Sequence, residues 1–151
     1  MKFNEKEMLA FAEKLGRVLT PGDIIVLTGE LGAGKTTFVK GLALGLEIHQ
    51  MIKSPTYTIV REYEGGRLPL YHMDVYRIGD DPDSFDMDDY LFGEGVSVIE
   101  WGELLGQDLP DAYLEIILDK YAESYETDGA REIRLMPHGE HYQELLGKFA
   151  L

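Results

Sequence analysis

Cysteine is absent from the 151-residue chain. Disulfides and thiolate metal sites are therefore excluded, and the composition is compatible with the cytosol. Asparagine occurs once, as Asn4, so the Asn-Lys-x-Asp motif of G-domain GTPases has nothing to build on. Basic residues are scarce: 14 Lys and Arg stand against 28 Asp and Glu, a formal charge of −14. Phosphate backbones are bound by Lys/Arg neutralisation, so direct, tight binding of RNA or DNA is not expected. From Asp74 to Asp111 there are twelve acids and one base, Arg77. A basic protein surface is the partner such a segment suits, and a solvated acidic run is the ordinary alternative. No apolar run approaches membrane-spanning length, and the first residues, Met1-Lys2-Phe3-Asn4-Glu5, lack the apolar core of a signal peptide. The expectation is one soluble, cytoplasmic domain over residues 1–151 with no membrane partner. That length is enough to bury about two-thirds of the unfolded surface.

What the chain does contain is Gly29-Glu30-Leu31-Gly32-Ala33-Gly34-Lys35-Thr36. It fits G-x-x-x-x-G-K-[ST], the loop that wraps nucleoside triphosphate phosphates. Glycines let backbone N–H groups approach phosphate oxygens closely. Lys35 supplies a point charge for the β- and γ-phosphates, and the Thr36 hydroxyl is a hard oxygen ligand for Mg²⁺. The flanks agree with the motif. Asp23-Ile24-Ile25-Val26-Leu27-Thr28 reads as a short buried strand, and 36–44, which includes Thr37, reads as a helix with Phe38, Val39, Leu42 and Ala43 on its apolar side. Such a helix aims its N-terminal dipole and free N–H groups at the phosphates. A glycine-rich turn that binds nothing is the bland alternative.

The rest of the chain frames this unit. Asn4 as N-cap and Glu7 as its capping-box partner open a first helix, with Met8, Leu9, Phe11, Ala12, Leu15 and Leu19 as its apolar stripe. Thr20-Pro21-Gly22 turns it into the first strand of the unit. Residues 58–64 and 68–76 flank Gly65-Gly66 as a β-hairpin, which makes the sheet mixed rather than purely parallel. The six Asp between 80 and 89 belong to a loop running into a short helix around 85–91. Strands are expected at 96–101, 113–118 and 131–136, and a closing helix over 138–151. The fold class is α/β: a P-loop NTPase-like domain with a mixed central sheet and a β-hairpin, flanked by helices.

Three further places carry candidate chemistry. Ser54, Pro55 and Thr56 set two hydroxyls at a loop-to-strand entry, where they suit a γ-phosphate-sensing switch or an ordinary X-Pro turn. Asp74 stands near the end of the second hairpin arm, in His72-Met73-Asp74-Val75-Tyr76-Arg77, and is suited to act on Mg²⁺ through water. His72, beside it, reads as a satisfied structural histidine. Glu100 ends the apolar strand Val96-Ser97-Val98-Ile99, the form expected of a metal-coordinating or water-orienting carboxylate in a P-loop protein.

Gly29 through Phe38, then Ser54-Pro55-Thr56-Tyr57, then His72-Met73-Asp74-Val75-Tyr76-Arg77, then Glu100-Trp101 occur in that order. Together they closely resemble the bacterial TsaE family, the small ATPase of tRNA threonylcarbamoyladenosine biosynthesis, over roughly residues 4–136. The resemblance implies a P-loop ATPase using ATP and Mg²⁺ beside the partner proteins TsaB and TsaD, with tRNA reached only through that complex. It implies that Thr36 and Glu100 contact Mg²⁺, that Asp74 takes the Walker-B-like position and that Ser54, Pro55 and Thr56 work as a switch. Trp101 would sit beside the nucleotide, and Arg131 is expected to approach it. The chain departs from the family pattern at Met8, where Thr is frequent. It departs again at Phe85-Asp86-Met87-Asp88-Asp89-Tyr90, where a Leu-Gly-Leu-Asp-Glu-Tyr-like segment is usual.

Two other classes share the loop. A small-molecule kinase stabilises the transferring phosphoryl group with Arg/Lys clamps, and this chain has six Arg and an acidic 80–89 segment. A binding module would keep ATP as a structural ligand only. Lys35, Asp74 and Glu100 are the residues expected to carry catalysis.

Overall fold

Met8, Ala12 and Leu15 recur at three- and four-residue steps, and the chain forms helix α1 over Glu5–Val18 with those side chains buried. In this computed structural model, residues 2–3, 5–29, 35–49, 60–74, 93–100, 110–120 and 131–149 are described. Asn4, the expected N-cap, and the acidic segment 80–89 with the short helix expected around 85–91 lie outside them.

The remaining elements are β1 (Lys2–Phe3), β2 (Ile24–Gly29), α2 (Lys35–Gly45), β3 (Val60–Tyr63), β4 (Leu70–Asp74), β5 (Val96–Glu100), β6 (Tyr113–Lys120), β7 (Arg131–His138) and α3 (Glu140–Phe149). The strands form one sheet in the order β1-β7-β6-β2-β5-β4-β3. β2 lies between β5 and β6 and is parallel to both, β4 is parallel to β5, and the other neighbours are antiparallel. The expected mixed α/β sheet is therefore present. The hairpin around Gly65-Gly66 pairs Val60 with Met73 and Tyr63 with Leu70.

Boundaries shift for local reasons. β6 and β7 run two residues past their expected ends because they pair with each other from Tyr113↔His138 to Lys120↔Arg131. The closing helix begins only after Gly139, whose φ of 104° breaks β7 from α3. β1 was not expected, since two residues are too short to show a period. Its pairing with Arg131 and Glu132 defines it. No helix among the described residues is long and apolar enough to cross a membrane.

Period-two alternation gives β2 and β5 a shared inner face. Ile25, Leu27, Val96 and Val98 join Leu114, Ile116 and Leu118 of β6 in one core with Phe38, Val39 and Leu42 of α2. α1 packs on α2 through a seam of small residues. A Cβ on Gly41 would stand 2.5 Å from Ala12 Cβ, and one on Gly16 would stand 2.5 Å from Leu42 O. The helix axes can approach that closely only without those side chains. Arg67, in the hairpin connection, shares one guanidinium nitrogen among the carbonyls of Gly16 (2.8 Å), Leu19 (3.0 Å) and Arg17 (3.3 Å). It thus serves carbonyls that the end of α1 leaves without intrahelical partners.

Candidate functional site

β2 ends at Gly29, the first glycine of the loop, and α2 begins at Lys35, its lysine. Both strands flanking β2 run parallel to it, so its carboxyl end opens where α/β sheets place their ligands. Two acids arrive at the same edge by register. Asp74, the last residue of β4, pairs with Glu100, the last residue of β5, and Glu100 in turn pairs with Leu27.

Alternation decides what else faces this edge. His72 lies two residues before Asp74 on β4. It pairs with Val98, which puts it diagonal to Glu100. The imidazole Nε2 donates to Glu100 Oε2 at 2.5 Å, and Lys35 Nζ stands 3.5 Å from Glu100 Oε1. The three residues are buried, at 0% exposure for His72, 6% for Glu100 and 9% for Lys35. A tight charge-assisted bond measures about 2.7–2.9 Å. The Lys35 pair is therefore the looser of the two, and Glu100 is held chiefly by His72.

Burial opposes a charge on Glu100. The hydrogen bond and electrostatic attraction of His72, with the attraction of Lys35, outweigh it and lower the pKa of the carboxyl below its ordinary value. Glu100 therefore stands ready as a buried carboxylate. The reading of His72 as a satisfied histidine holds for one nitrogen only: its Nδ1 is buried with no hydrogen-bond partner among the described residues.

Thr36 and Thr37 follow Lys35 in the first turn of α2 and are half-buried. Arg131 begins β7 opposite Lys120, at the edge of the sheet to which β2 delivers the loop. Glu30, Leu31, Gly32, Ala33, Gly34, Ser54, Pro55, Thr56 and Trp101 lie outside the described residues. Among the described residues, no three His, Asp or Glu side chains gather as a metal site. The Glu100 carboxylate and the Thr36 hydroxyl are hard oxygen donors. Such a set suits Mg²⁺, which keeps several waters and takes further ligands from substrate phosphates. The residues fit that ion.

Sequence reasoning missed the His72–Glu100 contact. The available signal was the His72-x-Asp74 spacing, which has the period of a strand. It also missed the far end of β2, where an open cleft of about 670 Å³ is lined in part by Thr20, Asp23, His141 and Tyr142. The polar groups there serve one another. Asp23 accepts from the Thr20 N–H (2.7 Å) and from His141 Nε2 (2.7 Å), and the Tyr142 hydroxyl accepts from the Ile24 N–H (2.8 Å). The arrangement ties α3 to the start of β2.

Comparison with known proteins points the same way as the motifs. Residues 3–133 match the family model described as threonylcarbamoyl adenosine biosynthesis protein TsaE. The tRNA threonylcarbamoyladenosine biosynthesis protein TsaE of Bacillus subtilis is 43% identical over 142 residues, covering 94% of this chain and 87% of the relative. The protein of the same name from Treponema pallidum is 50% identical over 121 residues, covering 79% and 85%. Among solved structures, that of YdiB from Bacillus subtilis superposes with a TM-score of 0.84 at 38% identity, covering 99% of this chain and 93% of that one.

Proposed function

The chain belongs to the TsaE family of threonylcarbamoyl adenosine biosynthesis proteins, and from that premise we propose that it is an Mg²⁺-dependent P-loop ATPase serving threonylcarbamoyladenosine modification of tRNA. It acts with TsaB and TsaD, and hydrolysis resets their complex between cycles. The observation that carries this reading is the buried Lys35–Glu100–His72 cluster at the meeting point of β2 and α2.

Each residue then has a task. Lys35 leaves its loose pair with Glu100 for the β- and γ-phosphates of ATP, and backbone amides of the loop hold the remaining phosphate oxygens. The Glu100 carboxylate, anionic at neutral pH, orients the attacking water. Thr36 and Glu100 would hold Mg²⁺, with Asp74 supporting its water shell. The ion would neutralise charge developing on the phosphates. Ser54, Pro55 and Thr56 act as the switch, and Trp101 and Arg131 border the nucleotide.

Turnover by the isolated chain is slow, since three of its six arginines are engaged by other groups of the chain. Arg17 pairs with Glu13, Arg134 with Asp119, and Arg67 serves the end of α1. An arginine finger contributes about 10³–10⁵ in turnover where it is present, which leaves room for acceleration by partners. The acidic balance makes contact with tRNA indirect, through the complex.

The test is phosphate release from Mg-ATP by the purified protein, alone and then with TsaB, TsaD and tRNA. Slow release that rises with the complex is the expected result. Rapid turnover unchanged by partners would contradict it. Turnover only with an added small-molecule acceptor would make the protein a kinase.

A further inference from the structure

His72 sits in mid-strand on β4 with no exposed surface, and the one hydrogen bond of its side chain among the described residues goes to Glu100. A buried imidazole whose Nδ1 has no partner among the described residues is a costlier occupant of a core position than leucine or methionine. Packing alone therefore does not account for it. The bond to Glu100 does.

From this geometry we infer that His72 is a positioning residue that holds one Glu100 oxygen so that the other stays aimed at the nucleotide when Lys35 is drawn away. The inference deepens the ATPase reading and rests on it. In the structure the two carboxylate oxygens are divided, Oε2 to His72 and Oε1 toward Lys35. A triphosphate competes for the Lys35 charge. His72 is then the partner that keeps a flexible glutamate at the end of β5 in one rotamer. Its own place is secured by the β4–β5 register, which pairs every residue from Leu70↔Val96 to Asp74↔Glu100. Removing Nε2 frees the carboxylate to swing without altering the loop that binds phosphate.

Three chains are compared with Mg-ATP in the presence of TsaB, TsaD and tRNA: wild type, His72→Leu and His72→Gln. Leucine fills volume without a donor, whereas the glutamine amide presents an N–H near the place of Nε2. His72→Leu is expected to lower kcat roughly 10- to 100-fold, the usual loss when the group orienting a reactive ligand is removed, with KM for ATP little changed. His72→Gln is expected to recover most of that loss. If leucine prevents folding, His72→Asn, whose amide falls short of Glu100, takes its place. Unchanged kcat in His72→Leu, a proportionate rise in KM, or equal impairment by Gln and Leu would overturn the inference.

Absence of turnover in the wild type would instead remove the ATPase reading. A thermal-unfolding cycle of His72→Leu and Glu100→Gln, run without nucleotide, still decides the pair. Shifts in midpoint that fail to add mark the two residues as one unit, and additive shifts overturn it.

Discussion

Gly45 on α2 stands directly against Gly16 on α1: a Cβ added at Gly45 would lie 2.7 Å from Gly16 Cα and 2.9 Å from Arg17 N. These are backbone atoms and cannot turn aside. Alanine would gain about 1 kcal/mol in helix propensity, but overpacking costs about 1–3 kcal/mol and rises where backbone must move. Gly45→Ala is therefore expected to lower the unfolding midpoint by several degrees, read by circular dichroism. ATP turnover should fall with it, because α2 carries Lys35.

The opposite sign is expected at Gly147 on α3, where an added Cβ meets nothing within 4 Å. Gly147→Ala should raise stability by up to about 1 kcal/mol, the ordinary glycine-to-alanine gain in a helix. A fall in the midpoint would mean that α3 is not packed as described.

Lys35→Ala should abolish ATP binding or reduce turnover by about 10²–10³, the scale for losing one preorganised charge donor. Glu100→Gln should keep most ATP affinity and lose turnover. Titration with a fluorescent ATP analogue, beside phosphate release, separates the two effects. Wild-type rates in Glu100→Gln would remove Glu100 from the mechanism.

Burial pushes the Tyr142 hydroxyl up to about 12; the Ile24 N–H it accepts pulls the other way, and the Asp23 charge adds to the rise. A phenol that holds its proton more tightly when folded contributes stability fully present below the unfolded value, about 10. That contribution is lost as pH rises toward 12. At about 1.4 kcal/mol per unit, the loss amounts to roughly 2–3 kcal/mol. Tyr142→Phe should be about 1 kcal/mol less stable at neutral pH, since the Ile24 N–H loses its acceptor. The gap should narrow or reverse between pH 10 and 12. Denaturant midpoints measured across that range check it.

Arg67→Ala should destabilise by about 1–3 kcal/mol, the range for hydrogen bonds to a charged group, because carbonyls at the end of α1 lose their donor. Arg67→Lys should recover only part, as an ammonium lacks the planar fork. Urea unfolding of the two variants against wild type measures both effects.

Most elements of the fold were legible because their signals are local. The apolar stripe of α1, the β2–loop–α2 unit around Lys35 and the hairpin turn at Gly65-Gly66 each depend on residues within one or two turns of chain. β1 was not legible, since two residues carry no period, and strand ends moved wherever a neighbour extended the pairing. Of the candidate site, the residue types were legible and their partners were not. His72 looked self-contained, yet one of its nitrogens exists for Glu100 and the other has no partner among the described residues.

The sequence by itself determined that a phosphate-binding type of loop stands between a buried strand and a helix, and that acids lie at or near the ends of two later strands. Periodicity, turn chemistry and residue type are properties of short stretches and survive without the rest of the molecule. Only the tertiary structure decided that β5 lies beside β2, that Asp74 pairs with Glu100, and that Glu100 divides its oxygens between His72 and Lys35. Strand order and register follow from burying many apolar faces at once, in a sheet whose neighbours are distant along the chain. No local stretch carries that information.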